Sequence, residues 1–334
     1  MTNKRIGFAC KLSELSAGGV VSAIESCNTK TTTISWLGRQ TKQVAEDKLL
    51  ALMQHNVQSV FNLVSAVSKM PEIKRMVRIS SDVLPAYTHD SWRYFYQSQE
   101  NKNYLAREFA KIGELARSTG VRLSFHPGQF CCIVSNNPGI VERSIEELEY
   151  HATMAEWMGY GERPLDFKIN IHLSGKLGIS GFMQAYEKMS RVLQSSLTLE
   201  NDEYQAGLDV LLPLAPYVGI VLDIHHHFIN TGEYISPDDA RLQEVRDSWQ
   251  GHRPVIHYSQ SGWVHLENHT NSMPTLATLL ESTNRSKLRG HSEFYNHAAL
   301  NEWALQFLDW ADIMSESKSK NLGVDQILAQ YKQN

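Results

Sequence analysis

The segment FKINIHLSG, residues 167–175, is a short apolar run that ends on His172 and breaks at Gly175. The same design returns at LTLEND (197–202), which ends on Glu200, and at GIVLDIHHH (219–227), which ends on Asp223. Five more short apolar runs accompany these three: RIGFAC (5–10), MVRIS (76–80), VRLSF (121–125), PVIHY (254–258) and ADIMS (311–315). Between most of them lie stretches with helical periodicity, such as TKQVAEDKLLALMQHNVQSVFNLVSAV, NKNYLAREFAKIGELARSTG, SIEELEYHATMAEWMG and LNEWALQFLDW. Gly120 closes one of these just before a strand, a usual helix stop. Strands alternating with helices predict a parallel sheet, and eight such units predict closure into a single (β/α)8 TIM barrel spanning 1–334. No glycine-rich nucleotide fingerprint or P-loop follows the first strand. The stretch from about Ser259 to Gly290 reads as irregular, and the polar tail after Lys318 reads as peripheral.

A length of 334 residues suits one such barrel, and 42% hydrophobic with 20% charged residues is a globular balance. The formal net charge of −4 excludes bulk basicity as a basis for nucleic-acid binding, so any DNA affinity needs a local positive site, which bound cations can supply. Cys10, Cys27, Cys131 and Cys132 fit no zinc spacing, and a reduced, cytoplasmic chain is expected. The opening MTNKRIGFACKLSEL turns polar too soon for a signal core, and no run of about 18 apolar residues predicts a membrane span.

The 14 histidines are the compositional oddity. In a (β/α)8 barrel the active site lies at the C-terminal ends of the strands. Read in chain order, those ends carry His126 in HPGQF, His172, Glu200, Asp223 with His225, His226 and His227, His257 in VIHYSQ, and Glu316 in IMSESK; the loop after the second strand carries His89. Imidazole and carboxylate are the ligand set of zinc, manganese and iron. Clustered carboxylates repel unless cations lie among them, and a bridging Glu200 would hold two metals close together, an arrangement suited to in-line displacement at phosphorus. His151, His252, His265, His269 and His297 fall outside this pattern.

With these residues in view, the chain resembles the UV damage endonuclease family. The landmarks are RISSDVLP (78–85), HPGQF (126–130), NIHLSGK (170–176), LENDE (199–203), LDIHHH (222–227), IHYSQ (256–260) and DIMSESK (312–318), spread in order from about residue 5 to 318. The resemblance implies a barrel related to endonuclease IV with three divalent metals, usually manganese, zinc or magnesium being open. It implies that His126, His172 and Glu200 hold one metal; that Glu200 bridges to a second, held also by Asp223, His257 and Glu316; and that His226 and His291 hold the third. His89 stands where the family has a histidine near the scissile phosphate, as ligand or phosphate contact. The implied activity is incision of damaged double-stranded DNA on the 5′ side of ultraviolet photoproducts and some other lesions, leaving a 3′ hydroxyl, with no obligate protein partner. Gln129 and Phe130 correspond to the pair that probes the duplex, with Gly128 allowing the turn behind them. Phe8 and Lys176 are further candidate DNA contacts, and Lys318 a candidate phosphate contact.

Three departures stand out. Val255 occupies the place where the family often has a lysine that approaches the metals, Phe130 stands where tyrosine is frequent, and His291-Ser292-Glu293 replaces an HSD pattern. An abasic-site endonuclease of endonuclease IV type, a metal-dependent sugar isomerase on the same fold and a non-catalytic damage binder are the competing readings.

Overall fold

The computed structural model describes residues 4–128, 130–270 and 272–331. Eight parallel strands make one sheet: β1 (Ile6–Ala9), β2 (Met76–Arg78), β3 (Arg122–Phe125), β4 (Lys168–His172), β5 (Leu197–Glu200), β6 (Gly219–Val221), β7 (Val255–Tyr258) and β8 (Asp312–Ser315). All eight predicted runs contain one of them. The hydrogen-bonded order is β6-β5-β4-β3-β2-β1-β8-β7, with pairs such as Phe8–Val77, His172–Glu200 and Met314–His257 in register. The two ends of this order meet at a single bridge between Asp223 and His257, so the sheet curls into a nearly closed (β/α)8 barrel. The strands are buried almost throughout because side chains fill the inside and helices cover the outside, which explains their near-continuous apolar runs.

Local chemistry sets the helix limits. Thr41 caps the helix Lys42–Ser68 by accepting from the Val44 N–H. Ser98 caps Gln99–Thr119 in the same way, and Gly120 ends it in the left-handed region with φ of 71°. Asn137 and Pro138 open the helix Pro138–Trp157. The predicted run LNEWALQFLDW forms the helix Ala298–Gln306 and then tightens into a 3-10 turn at Phe307–Asp309. Residues 259–290 fold into short turns and two helices, Leu276–Leu280 and Arg285–Leu288. The tail after Lys318 is not peripheral: Asn321–Tyr331 is a helix that buries Val324, Ile327 and Leu328, and Asn321 accepts from the Ser13 N–H at 2.8 Å and donates to the Ser13 carbonyl at 2.9 Å. Its apolar positions at i, i+3 and i+4 form one buried stripe that composition alone conceals.

His151 lies in the core under helix Pro138–Trp157 and is 0% exposed. Its Nδ1–H donates to the Glu147 carbonyl at 2.7 Å, and the ring packs against Phe125 and Tyr150. Burial pushes this imidazole down to about 4, against the opposing effect of that hydrogen bond. Unfolded chains take up a proton at His151 near the ordinary value, about 6.5. Between pH 6.5 and 4 the unfolded state therefore binds more protons, and stability falls as pH falls, by up to about 3 kcal/mol from this residue. Urea unfolding at pH 7 and pH 5 checks this: His151→Leu should flatten part of the decline, and an undiminished pH dependence would refute it.

Candidate metal centre

Each ligand-type residue is delivered to one rim by the geometry of parallel strands. His126 follows β3 directly, His172 and Glu200 are the last residues of β4 and β5, Asp223 and Glu316 follow β6 and β8 closely, and His257 lies within β7. Glu200 is the hub and is fully buried. Its Oε2 lies 3.1 Å from His126 Nε2 and 3.9 Å from His172 Nε2, and its Oε1 lies 3.0 Å from His257 Nδ1 and 3.8 Å from His226 Nδ1. Glu316 Oε1 stands 3.4 Å from the same His257 nitrogen. His291 reaches Glu316 from the far side, with Nε2 at 3.8 Å from Oε2.

Three groups of donors are close enough to hold a cation: His126, Glu200 and His257; His172, Glu200 and His226; and Glu200, Asp223, His257 and Glu316. Glu200 belongs to all three. Asp223 is both cap and candidate ligand. One oxygen accepts the His226 backbone N–H at 2.6 Å and starts the helix Ile224–Thr231, while the other, Oδ2, is buried with no hydrogen-bond partner. His172 Nδ1 is likewise buried without one. Such orphaned acceptors are expensive unless something fills the space between them.

The protonation pattern agrees. Burial raises Asp223 well above the usual carboxylate range, and the neighbouring charges of Glu200 and Glu316 add to the rise although His226 opposes it. For His226, burial pulls down, but Asp223, Glu200, Glu203 and Glu316 prevail and lift it to about 9. Both shifts are those of a carboxylate ring short of positive charge, which borrows protons in place of cations. Burial drives His172 and His291 down and His257 to about 4, leaving neutral imidazoles of the kind that bind metals. The residues therefore fit divalent cations on their own chemistry.

Other expected residues fall differently. His89 joins none of the three groups; it sits half-buried in the loop after β2, its Nδ1 accepting from the Ser91 N–H at 3.2 Å. Phe130 is 91% exposed. Gln129 lies outside the described residues. Gly128 does not use the left-handed region; what it supplies is space, because a Cβ there would lie 3.3 Å from the Phe130 ring. Phe8 was expected as a DNA contact, and the structure corrects this: it is 0% exposed in β1, inside the main hydrophobic core, beyond the reach of any duplex. Lys176 is exposed in a neighbouring cleft with Asn137 and Gln205, and Lys318 is paired with Glu293 at 3.4 Å.

Several residues of the centre are absent from the sequence reading. Arg78, the last residue of β2, is bonded to Glu316 and helps hold its carboxyl well below the usual range against the effect of burial. Asn170 donates to Glu200 and accepts from Thr198 at 2.8 Å. Lys168 places its Nζ 2.9 Å from His257 Nε2, and burial pushes it down to about 7. Val255, by contrast, is buried among Met76, Leu165, Val221, Trp249 and Met314. An amine does reach the ring, from Lys168 of β4 rather than from position 255. The one signal in the sequence is spacing: Lys168, Asn170 and His172 are separated by two, which puts them on one face of β4. Beside the ring opens a cleft of about 490 Å3, lined by His172, His226, His291, Glu203, Tyr204 and Arg289. Arg289 pairs with Glu203 at 2.6 Å and lies over the Tyr204 ring.

Fold and site together define a (β/α)8-barrel enzyme whose rim carries a buried donor set suited to divalent cations. A family model described as UV-endonuclease UvdE matches residues 4–333, and the chain belongs to that family: it is an endodeoxyribonuclease of the repair of ultraviolet damage in DNA. The UV DNA damage endonuclease of Bacillus cereus (strain B4264) is 26% identical over 315 residues, covering 90% of this chain and 88% of that one. The crystal structure of SacUVDE superposes with a TM-score of 0.74 at 23% identity over 99% of both chains. Endonuclease IV from Thermus thermophilus shares the fold at a TM-score of 0.53 and 14% identity, over 83% of this chain and 95% of that one. Among the described residues no helix is long and apolar enough to cross a membrane.

Proposed function

We propose that this endonuclease incises double-stranded DNA immediately 5′ to ultraviolet photoproducts and other helix-distorting lesions, leaving a 3′ hydroxyl, and that it does so with a cluster of divalent cations, up to three and preferentially manganese. The observation that carries this reading is Glu200, a buried carboxylate common to all three donor groups. The resemblance assigns His126, His172 and Glu200 to one cation, Glu200, Asp223, His257 and Glu316 to a second, and His226 and His291 to a third; the donor distances match the second set, pair His126 with His257 and His172 with His226 around Glu200 instead, and, among the described residues, bring His291 only to Glu316. Bound there, such ions supply Lewis-acid stabilisation of the phosphate and lower the pKa of water.

The chain's own residues do the rest. Asn170 and Arg78 fix the carboxyl groups of Glu200 and Glu316. Lys168 fixes the outer nitrogen of His257, so that Nδ1 faces the carboxylates. Arg289, at the mouth, and the exposed Lys176 beside it supply cationic contacts for phosphates despite the chain's net charge of −4. His89, in the loop after β2, contacts the backbone near the cut. Phe130, with Gln129, enters the duplex where stacking is already weakened, so selectivity follows the cost of unstacking rather than a base code.

A labelled duplex carrying one photoproduct, incubated with protein and manganese beside undamaged, abasic and chelator-treated controls, tests the reading. A nick 5′ to the photoproduct that is lost with chelator is expected; cutting of the abasic duplex alone would transfer the chain to endonuclease IV-like chemistry. Phe130→Ala should lower the preference for damaged over undamaged duplex roughly tenfold, the worth of one aromatic–base stack, while leaving metal content unchanged. Equal preference in the variant would remove Phe130 from the probe role.

A further inference from the structure

Parallel strands give the barrel two unlike ends, and the end opposite the metal centre carries a cluster of arginines. Arg5 precedes β1, Arg122 opens β3 and Arg253 stands just before β7. All three converge on Asp312, the first residue of β8, which is 0% exposed. Arg122 Nη1 lies 2.8 Å from Asp312 Oδ2, Arg253 Nε 2.8 Å from Oδ1, and Arg5 Nη1 3.7 Å from Oδ2. One carboxylate thus faces three guanidinium groups.

Two further arginines stand on the rim of the same cleft, which measures about 510 Å3. Arg117 donates to the carbonyls of Met158 and Gly159 and lies over the Tyr160 ring, so its partners are uncharged. Arg163 lies in no ion pair among the described residues. The second carboxylate at the cleft, Asp166, is occupied by the backbone N–H groups of Gly161 and Arg163. Five guanidinium groups against two carboxylates leave a local excess of three positive charges on a chain whose net charge is −4. Burial pushes Arg122 below the ordinary arginine value; Asp312 opposes this, and the nearby charges of Arg5 and Arg253 add to the fall.

We propose that this cleft at the N-terminal end of the barrel binds a small phosphate-bearing anion of several charges, of the inorganic triphosphate or nucleoside triphosphate class. Planar guanidinium forks match phosphate oxygens in pairs, and a volume of this size admits several phosphoryl groups. On the proposed function the substrate duplex lies against the opposite end of the strands, so it is not the ligand of this cleft. Binding only the folded state, the anion stabilises the barrel where its like charges otherwise repel.

Isothermal titration of the metal-loaded full chain with sodium triphosphate at low salt tests this. The expected result is a site that remains in Glu200→Gln, where the metal centre no longer competes for the anion, and whose affinity falls at least about tenfold when Arg117→Gln/Arg163→Gln is added at the exposed rim. The two rim substitutions in a chain that keeps Glu200 should leave its nuclease activity intact. The same anion should raise the melting temperature of Glu200→Gln, but not once the rim substitutions are added. Absence of binding up to about 1 mM, or binding equally strong with the rim substitutions added, overturns the proposal. So does rim-dependent binding of a 5′-phosphorylated oligonucleotide without binding of triphosphate, which would make the cleft a nucleic-acid contact instead.

Discussion

Replacing Glu200 with glutamine should give a folded barrel that takes up little divalent metal and cuts damaged DNA at least about a thousandfold more slowly. The substitution is almost isosteric, so packing at this fully buried position is kept. What changes is charge and donor capacity. Glu200 accepts from His126 at 3.1 Å and from His257 at 3.0 Å, and it belongs to each of the three donor groups, so no group keeps its full set once the carboxylate is gone. Glutamine removes one charge from beside Asp223 and Glu316, but it also gives up the attraction of His257 and His172 for the carboxylate. The unloaded variant should therefore melt somewhat below the unloaded wild type, because His257, His172 and His126 hold the Glu200 carboxyl well below the usual range despite its burial, so its charge stabilises the fold at neutral pH. Elemental analysis after dialysis, a photoproduct incision assay and thermal melting separate the possibilities. Wild-type metal content with wild-type cutting would remove Glu200 from the centre; lost cutting with wild-type metal content would mean that Glu200 acts in some way other than by holding the cations.

The largest effect on stability is expected at the other end of the barrel. Asp312→Asn should destabilise the fold by about 3–5 kcal/mol, the scale for stripping the counter-charge from a buried ion network. Asparagine keeps the size of the side chain and can still accept the Arg5 backbone N–H, now 2.9 Å from Oδ1. It cannot neutralise Arg5, Arg122 and Arg253 together. The loss should appear in urea unfolding at pH 7 and should shrink if Arg122 is replaced by methionine in the same chain, because one unpaired cation is then removed. A change below about 1 kcal/mol would mean that water reaches the three guanidinium groups well enough to make Asp312 dispensable.

The barrel was readable because each strand is a short apolar run closed by a change of chemistry, and because the change is of one kind. His126, His172, Glu200, Asp223, His257 and Glu316 stand at successive strand ends, and a parallel barrel turns successive ends into one rim. No knowledge of distances was needed for that step. The residues that hold the ring in place were harder to see. Lys168 and Asn170 acquire meaning only from His257 and Glu200, which lie 89 and 30 residues away and meet them across or beside the strand. Their two-residue spacing marks a shared face but not which face is the inside. Phe8 shows the same limit from the other direction: every residue of β1 is buried, so alternation gave no clue that its ring is packed in the core rather than offered at the rim. The terminal helix Asn321–Tyr331 was hidden by its polar composition, although its apolar residues have the right spacing. The arginine cleft was hidden because charges at strand starts are ordinary one by one, and only closure of the sheet brings Arg5, Arg122 and Arg253 around Asp312.

The hydrogen-bonded ladder runs from β6 round to β7 and, among the described residues, never continues between these two strands beyond the bridge at Asp223 and His257, with the His257 N–H bound to the Leu222 carbonyl at 2.9 Å. The barrel is in effect a hoop, and its buckle is made of two candidate metal ligands. A cation shared by Asp223 and His257 would fasten this gap in the hoop, so loading the catalytic centre and locking the architecture would be one event. On the proposed assignment, assembly would carry its own check: a hoop left unbuckled would lack the ions needed to cut.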